Sequence, residues 1–281
     1  MRPRPFMQVD VFTDTPYRGN PVAVVLDGDG LSDDAMQRIA RWTNLSETTF
    51  VLAPAAPGAD YRLRIFTPGS ELPFAGHPTL GSAHALIASA RLRPRAGRLV
   101  QQCGAGLVPV TLDADGERLW LRLPAARTDR LDDAARARLE RALGLACPEA
   151  MRIDVGPVWI TARVDGGAAL LAARPDLAEI EALSREAGAT GVTVFGALVG
   201  DGARWEVRSF APAAGVPEDP VCGSGNGCVA VFLGEIGERA PYEARQGRAI
   251  GRDGRIAVRG VGGEVEIGGA CVACVRGEIL A

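Results

Sequence analysis

Apolar positions along the chain recur with two spacings, every second residue and every third or fourth, and these predict its elements. Residues 7–12 alternate and 22–26 are apolar and β-branched, so with a turn at 17–21 they predict a hairpin with a longish loop. After a second turn at 27–30, Ser32 is placed to cap a helix with Asp33 and Asp34 in its first turn and Met36, Ile39 and Ala40 as its stripe. Asn44 can close that helix in a left-handed conformation. A strand predicted at 48–52 puts Glu47 at an element end, where functional residues often sit. A strand at 62–66 feeds a loop and then a helix over 79–90, whose small Gly81, Ser82 and Ala83 permit close burial. Leu80, Ala83, His84 and Ile87 share one face of that helix, which makes His84 a core or boundary histidine rather than a catalyst. Strand-like runs follow at 97–103, 106–112 and 117–123.

Residues 124–130 read as a hinge between a domain at 1–124 and another at 125–267. Beyond it the pattern predicts an amphipathic helix at 131–145 with a solvated arginine face, and strands at 151–155, 158–164 and 168–172. A helix, a break and a strand span 176–198; a strand at 204–210 and a helix over about 225–236 follow. Gly225 and Gly227 suit a helix start, where they let a ligand approach bare backbone N–H groups. The tail, 255–280, alternates between glycine-rich turns and reads as two or three strands.

The second half repeats the first. Each long loop follows a strand ending in Phe, Phe66 or Phe210, holds Pro two and seven residues later, turns on Gly and opens a helix. Upstream, Phe50 lies on Phe195, which sets Glu47 opposite Val192: a carboxylate in one half against an aliphatic residue in the other. Loss of symmetry at one polar position marks Glu47 as a functional candidate. Many strands with one short buried helix per half predict an α+β fold of two similar lobes, each a curved sheet wrapped around its helix. Duplication is expected to set both helix N-termini at the cleft between lobes, where their dipoles suit a carboxylate ligand.

Composition narrows the chemistry. The chain has 281 residues, is 47 % hydrophobic and carries a net charge of −3. No basic stripe argues for nucleic acid, and no apolar run approaches the ~20 residues of a membrane span. The start leads into strand-like alternation rather than an export signal, so a cytoplasmic protein is expected. There is no lysine, which excludes Schiff-base chemistry on this chain and the lysine of a phosphate-binding loop. Six cysteines with only His77 and His84 do not make a structural zinc site, so no metal is expected and Cys271-Val272-Ala273-Cys274 reads as packed, reduced thiols.

Four motifs carry a resemblance. Asn20-Pro21, Asn44-Leu45-Ser46-Glu47-Thr48, Glu71-Leu72-Pro73-Phe74-Ala75-Gly76-His77-Pro78-Thr79 and Val216-Pro217-Glu218-Asp219-Pro220-Val221-Cys222-Gly223-Ser224 together resemble the PhzF-like family of phenazine-biosynthesis isomerases, in family order and over essentially the whole chain. The resemblance implies the diaminopimelate-epimerase fold, with a C-terminal strand at about 268–281 returning to the first lobe, and a homodimer. It implies that Glu47 is the acid–base residue of a cofactor-free isomerisation, the type reaction being that of trans-2,3-dihydro-3-hydroxyanthranilate. By the same resemblance His77 and Asp219 act beside Glu47, while Ser46, Gly76, Cys222, Ser224 and Gly225 line the substrate, a small molecule with a carboxylate. Asp219 suits an amine, and Ser224 with the helix N-terminus suits a carboxylate.

One departure matters. Two-base epimerases of this fold offer a cysteine before each helix. Cys222 stands at one such place, where the phenazine enzyme would have Thr, but Ala75-Gly76-His77-Pro78 holds no thiol. The readings kept beside the isomerase are an amino-acid epimerase or racemase using Cys222, and a non-catalytic small-molecule-binding protein.

Overall fold

The computed structural model describes residues 1–200, 202–261 and 264–281. β1 (Pro3–Val11) and β2 (Asn20–Val25) form the predicted antiparallel hairpin. α1 (Asp33–Thr43) begins on Ser32, whose hydroxyl accepts from the Ala35 N–H, and ends on Asn44 at φ 55°. β3 (Thr48–Leu52), β4 (Tyr61–Phe66) and the two-residue β5 (Glu71–Leu72) lead into α2 (Gly76–Ala88), and β6 (Arg98–Cys103), β7 (Gly106–Leu112) and β8 (Leu119–Arg122) follow it. α2 starts three residues before its predicted position, because Gly-His-Pro reads locally as a turn although Pro is tolerated in a first helical turn.

Past β8 the sequence reading needs four corrections. The expected hinge contains β9 (Arg127–Arg130), which pairs antiparallel with β10 (Glu149–Asp154); a ladder with a distant strand leaves no mark on so polar a sequence. α3 (Asp133–Leu143), capped by Asp132 and closed by Gly144, lies between them. After β11 (Val158–Val164), the strand expected at 168–172 is instead α4 (Gly167–Ala172), since a short apolar run looks alike in both states and Ala and Leu favour the helix. The helix and strand predicted next are α5 (Leu177–Glu186) and β12 (Gly191–Ala197). The arginine face of α3 is not merely solvated: Arg138 bonds Glu179 at 2.7 Å and Glu186 at 2.6 Å on α5.

β13 (Trp205–Ala211), β14 (Val216–Asp219) and α6 (Gly223–Glu235) come next. The polar stretch after them forms an unpredicted strand, β15 (Tyr242–Gln246), held parallel to β13. β16 (Gly254–Val261), β17 (Glu264–Gly269) and β18 (Cys271–Leu280) complete the tail; its glycine-rich turn at 262–263 lies outside the described residues. Among the described residues no helix is long and apolar enough to cross a membrane.

The chain divides into two compact units, Met1–Leu121 with Gly268–Ala281, and Arg122–Ile267. In the first, β1 lies antiparallel between β18 and β2; β3 is parallel to β2; β4 is antiparallel to β3 and β5 and parallel to β6; and β7 is antiparallel to β6. The second repeats this: β10 with β11 antiparallel, β11 with β12 parallel, β13 antiparallel to β12 and β14 and parallel to β15, and β15 with β16 antiparallel. Each sheet packs on its own thirteen-residue helix, α2 or α6, apolar on nearly every side. Gly81 of α2 lets the sheet close in: a Cβ there would lie 2.4 Å from Val22 Cγ1.

The pairing register also corrects the sequence alignment. Phe66 pairs with Thr48 and Phe210 with Val192. Thr48 therefore corresponds to Val192, and Glu47 to Gly191 rather than to Val192. Phe50 and Phe195 are one position out of step, because both strands carry apolar residues on both faces and either match looks acceptable by eye.

Candidate active site

Glu47 and His77 meet in the first unit. Glu47 immediately precedes β3, and its carbonyl accepts from the Ala23 N–H of β2. His77 is the second residue of α2 and is buried. Its Nε2 faces Glu47 Oε2 at 3.3 Å, with side-chain exposures of 9 % for the imidazole and 14 % for the carboxylate. Burial lowers the His77 pKa to about 3, against a smaller opposing effect of a hydrogen bond to the Pro21 backbone. Pro21 has no N–H, so its carbonyl accepts from the ring. Nε2 takes no hydrogen bond, so Nδ1 makes that one. The ring is then a neutral tautomer that turns the lone pair of Nε2 toward Glu47. Ser46, next to Glu47 in sequence, is half-buried. Gly76 opens α2 with open space around it, the first contact of an added Cβ being Leu121 Cδ1 at 3.9 Å. Ala75 supplies no side-chain cap, which leaves the first N–H groups of α2 without a local acceptor.

Asp219, Cys222, Ser224 and Gly225 meet in the second unit. Asp219 ends β14, and its Oδ1 accepts from the Val221 N–H at 3.0 Å. Burial raises its pKa to about 6, although the Val221 and Cys222 hydrogen bonds favour the ionised form. Cys222 is the N-cap of α6, its sulfur accepting from the Gly225 N–H at 3.2 Å. Burial pushes the thiol well above its ordinary range, and the neighbouring Asp219 charge adds to this. It is a neutral thiol, not a base. Ser224 Oγ accepts from Trp159 Nε1 at 3.0 Å and lies 3.6 Å from Cys222 Sγ, a contact in which either atom could be the donor. Gly225 is glycine for a reason the sequence does not show: a Cβ would meet Thr193 Oγ1 at 2.6 Å and Ser209 Oγ at 2.7 Å. Its N–H is already taken by Cys222, and close packing accounts for the residue without a ligand. Glu218 also differs in kind from its neighbour, being locked bidentately to Arg208 at 2.9 and 2.8 Å.

Several supporting residues escaped the sequence reading. Gln246 Nε2 donates to the Asp219 carbonyl at 3.1 Å. Asn226 Nδ2 donates to Gln246 Oε1 at 2.7 Å and to the Cys222 carbonyl at 2.9 Å. Both amides are buried, and together they hold the loop between β14 and α6. The first unit has a parallel arrangement: Gln101 Nε2 donates to Thr79 Oγ1 at 3.0 Å. Thr79 and Asn226 are each the fourth residue of their helix. A glutamine inside a strand-like run was the available signal in the first unit; Gln246 lay in a strand that was not predicted.

Residues 9–277 match the model of a protein family described as phenazine biosynthesis-like proteins, PhzC-PhzF. The chain belongs to this family. It is 39 % identical to "Antisense-enhancing sequence 1" of Schizosaccharomyces pombe, with 97 % of each chain covered. It is 38 % identical to the trans-2,3-dihydro-3-hydroxyanthranilate isomerase of Pseudomonas aeruginosa, over 97 % of this chain and 98 % of that one. Among solved structures it is similar to the PhzF-family phenazine biosynthesis protein of Bacillus anthracis, with a TM-score of 0.88, 26 % identity and complete coverage of both chains. The family is one of isomerases, and the fold is the diaminopimelate-epimerase type that the motifs implied.

Proposed function

We propose that this chain is a cofactor-independent cytoplasmic isomerase in which Glu47 moves a proton within a small carboxylate-bearing, possibly cyclic amino-acid substrate, as the resemblance to trans-2,3-dihydro-3-hydroxyanthranilate isomerase suggests. The observation that carries the reading is the close pairing of a partly accessible Glu47 with a buried, neutral His77 imidazole. Glu47 takes a proton from one carbon, the electron pair shifts through the adjacent double bond, and Glu47, whose held proton exchanges with solvent, returns a proton at another carbon. Atoms and charge balance without a co-reactant. His77 holds the carboxyl in place and offers Nε2 as an acceptor while Glu47 carries the proton. Ser224, whose hydroxyl can turn its proton from Cys222 Sγ to a bound ligand, suits the substrate carboxylate. Asp219, half-ionised near pH 6, suits an amine.

Proton transfer is read directly by NMR in D2O. Wild type is expected to exchange solvent deuterium into one member of a panel containing the dihydro-hydroxyanthranilate, diaminopimelate, proline, hydroxyproline and aromatic amino acids. Glu47→Gln is expected to bind that ligand without exchanging it, and exchange at the wild-type rate in Glu47→Gln removes Glu47 from the mechanism. The epimerase reading needs Cys222 as a thiolate, which its burial beside Asp219 opposes; exchange lost in Cys222→Ser alone would revive it. A protein that only binds gives no exchange with any ligand it holds.

A further inference from the structure

Between α2 and β6 the chain carries Arg91, Arg93 and Arg95, and Arg98 opens β6; all four side chains are exposed. Leu92 and Pro94 between them are half-buried, so the run alternates outward and inward. Elsewhere in the chain arginines face carboxylates, as Arg64 faces Glu71, Arg208 faces Glu218 and Arg245 faces Asp253. Among the described residues, the side chains of Arg91, Arg93, Arg95 and Arg98 make no hydrogen bond, ion pair or ring contact.

The backbone sets two of these arginines against each other. The Arg95 N–H donates to the Arg98 carbonyl at 3.0 Å and the Arg98 N–H to the Arg95 carbonyl at 3.1 Å, an antiparallel pair closed by a two-residue turn. Ala96 at φ 49° and Gly97 at φ 68° supply the left-handed conformations that such a turn needs. Alanine rarely adopts that conformation, so the turn is held by its surroundings. The Leu112 N–H donates to the Gly97 carbonyl at 2.8 Å, and Arg98 pairs with Thr111 of β7. Residues opposed in this way project to one face with Cα atoms about 5.5 Å apart. Two guanidinium groups therefore rise side by side without a counter-charge, and like charges so placed repel.

That arrangement fits one compact anion. Each guanidinium offers a planar fork that matches two phosphoryl oxygens, and Arg93 stands next along the row. A long polyanion fits less well, because the row ends at Arg91, which shares a cavity of about 210 Å³ with Asp27, Asp29 and Asp60. We propose that the turn at 95–98 binds a phosphoryl group between Arg95 and Arg98, carried by free phosphate or by a small phosphate monoester. The turn shares no residue with the site around Glu47.

Orthophosphate titrated at constant ionic strength, followed by NMR through the arginine side-chain N–H signals, tests it. Two of those signals are expected to shift and saturate, and to be the ones missing from Arg95→Gln and Arg98→Gln. Either substitution should raise the dissociation constant about tenfold or more, and the double substitution little further, since a clamp fails once one side is gone. Arg91→Gln should leave it within about twofold, its charge being distant and screened. All three single variants should melt within about 2 °C of wild type, because only exposed side chains without partners are changed. Glycerol phosphate run in parallel separates the two sources. Tighter binding than orthophosphate identifies a phosphorylated metabolite, and equal or weaker binding identifies the free ion. Shifts that fail to saturate with either compound, or that persist in Arg95→Gln or Arg98→Gln, overturn the proposal. So does an equal weakening in Arg91→Gln, which marks a diffuse field rather than a site.

Discussion

β3 and β12 occupy the same place in two copies of one topology, yet the residues where they begin differ completely. In the first unit it is Glu47, whose side chain is partly accessible and faces His77. In the second it is Gly191, where a Cβ would lie 2.1 Å from the Phe210 carbonyl and 2.8 Å from the Trp159 ring. The helices that follow differ at matching positions too. Ala75 and His77 open α2, while Cys222 and Ser224 open α6. The first unit presents an acid and a neutral base; the second presents a carboxylate of raised pKa, a capped helix and a hydroxyl. The two units are similar scaffolds that differ in a handful of side chains at the ends of the same elements.

The largest expected effect tests the polar side of that contrast. Glu47→Gln should cut kcat by about 10²–10⁴-fold while the thermal transition stays near wild type; a loss below tenfold would falsify its role in proton transfer.

Acid–base linkage should show the two units pulling in opposite directions. His77 is neutral in the folded chain down to about pH 3, whereas its unfolded counterpart gains a proton below about 6.5. Its contribution is complete above 6.5 and is lost as pH falls toward 3. Asp219, raised from 3.8 to about 6, keeps a proton in the folded chain that the unfolded chain has released. Stability is therefore lost as pH rises from 3.8 through 6. Urea unfolding across pH 3–8 should show Asp219→Asn removing the second loss, of about 3 kcal/mol, and His77→Gln removing the first. Parallel curves for wild type and both variants would contradict the assigned burial.

Filling the closed side of the comparison should cost less. Gly191→Ala is expected to lower unfolding stability by about 2 kcal/mol, since backbone rather than a flexible side chain must yield; an unchanged denaturation midpoint would mean the register equating Gly191 with Glu47 is wrong. The smallest effect belongs to Cys222. Cys222→Ser keeps a helix cap and should hold kcat/KM within about threefold and stability within about 1 kcal/mol.

Much of this was legible in the chain itself. Ser32 and Asn44 bound α1 because capping is local chemistry, and alternation marked β1 and an apolar β-branched run marked β2 because each shows its pattern within a few residues. The lack of lysine excluded whole reaction classes, and the motifs around Glu47, His77 and Asp219 named the candidate residues and the family. Other features depended on partners far away in sequence. β9 and β15 are polar stretches made into strands by β10 and β13. Residues 167–172 took the helical state, and Glu47 found its counterpart only through the pairing of Thr48 with Phe66 and of Val192 with Phe210. Tertiary structure alone made His77 neutral, kept Cys222 a thiol and raised Asp219, because each shift comes from desolvation by residues that the local sequence does not name.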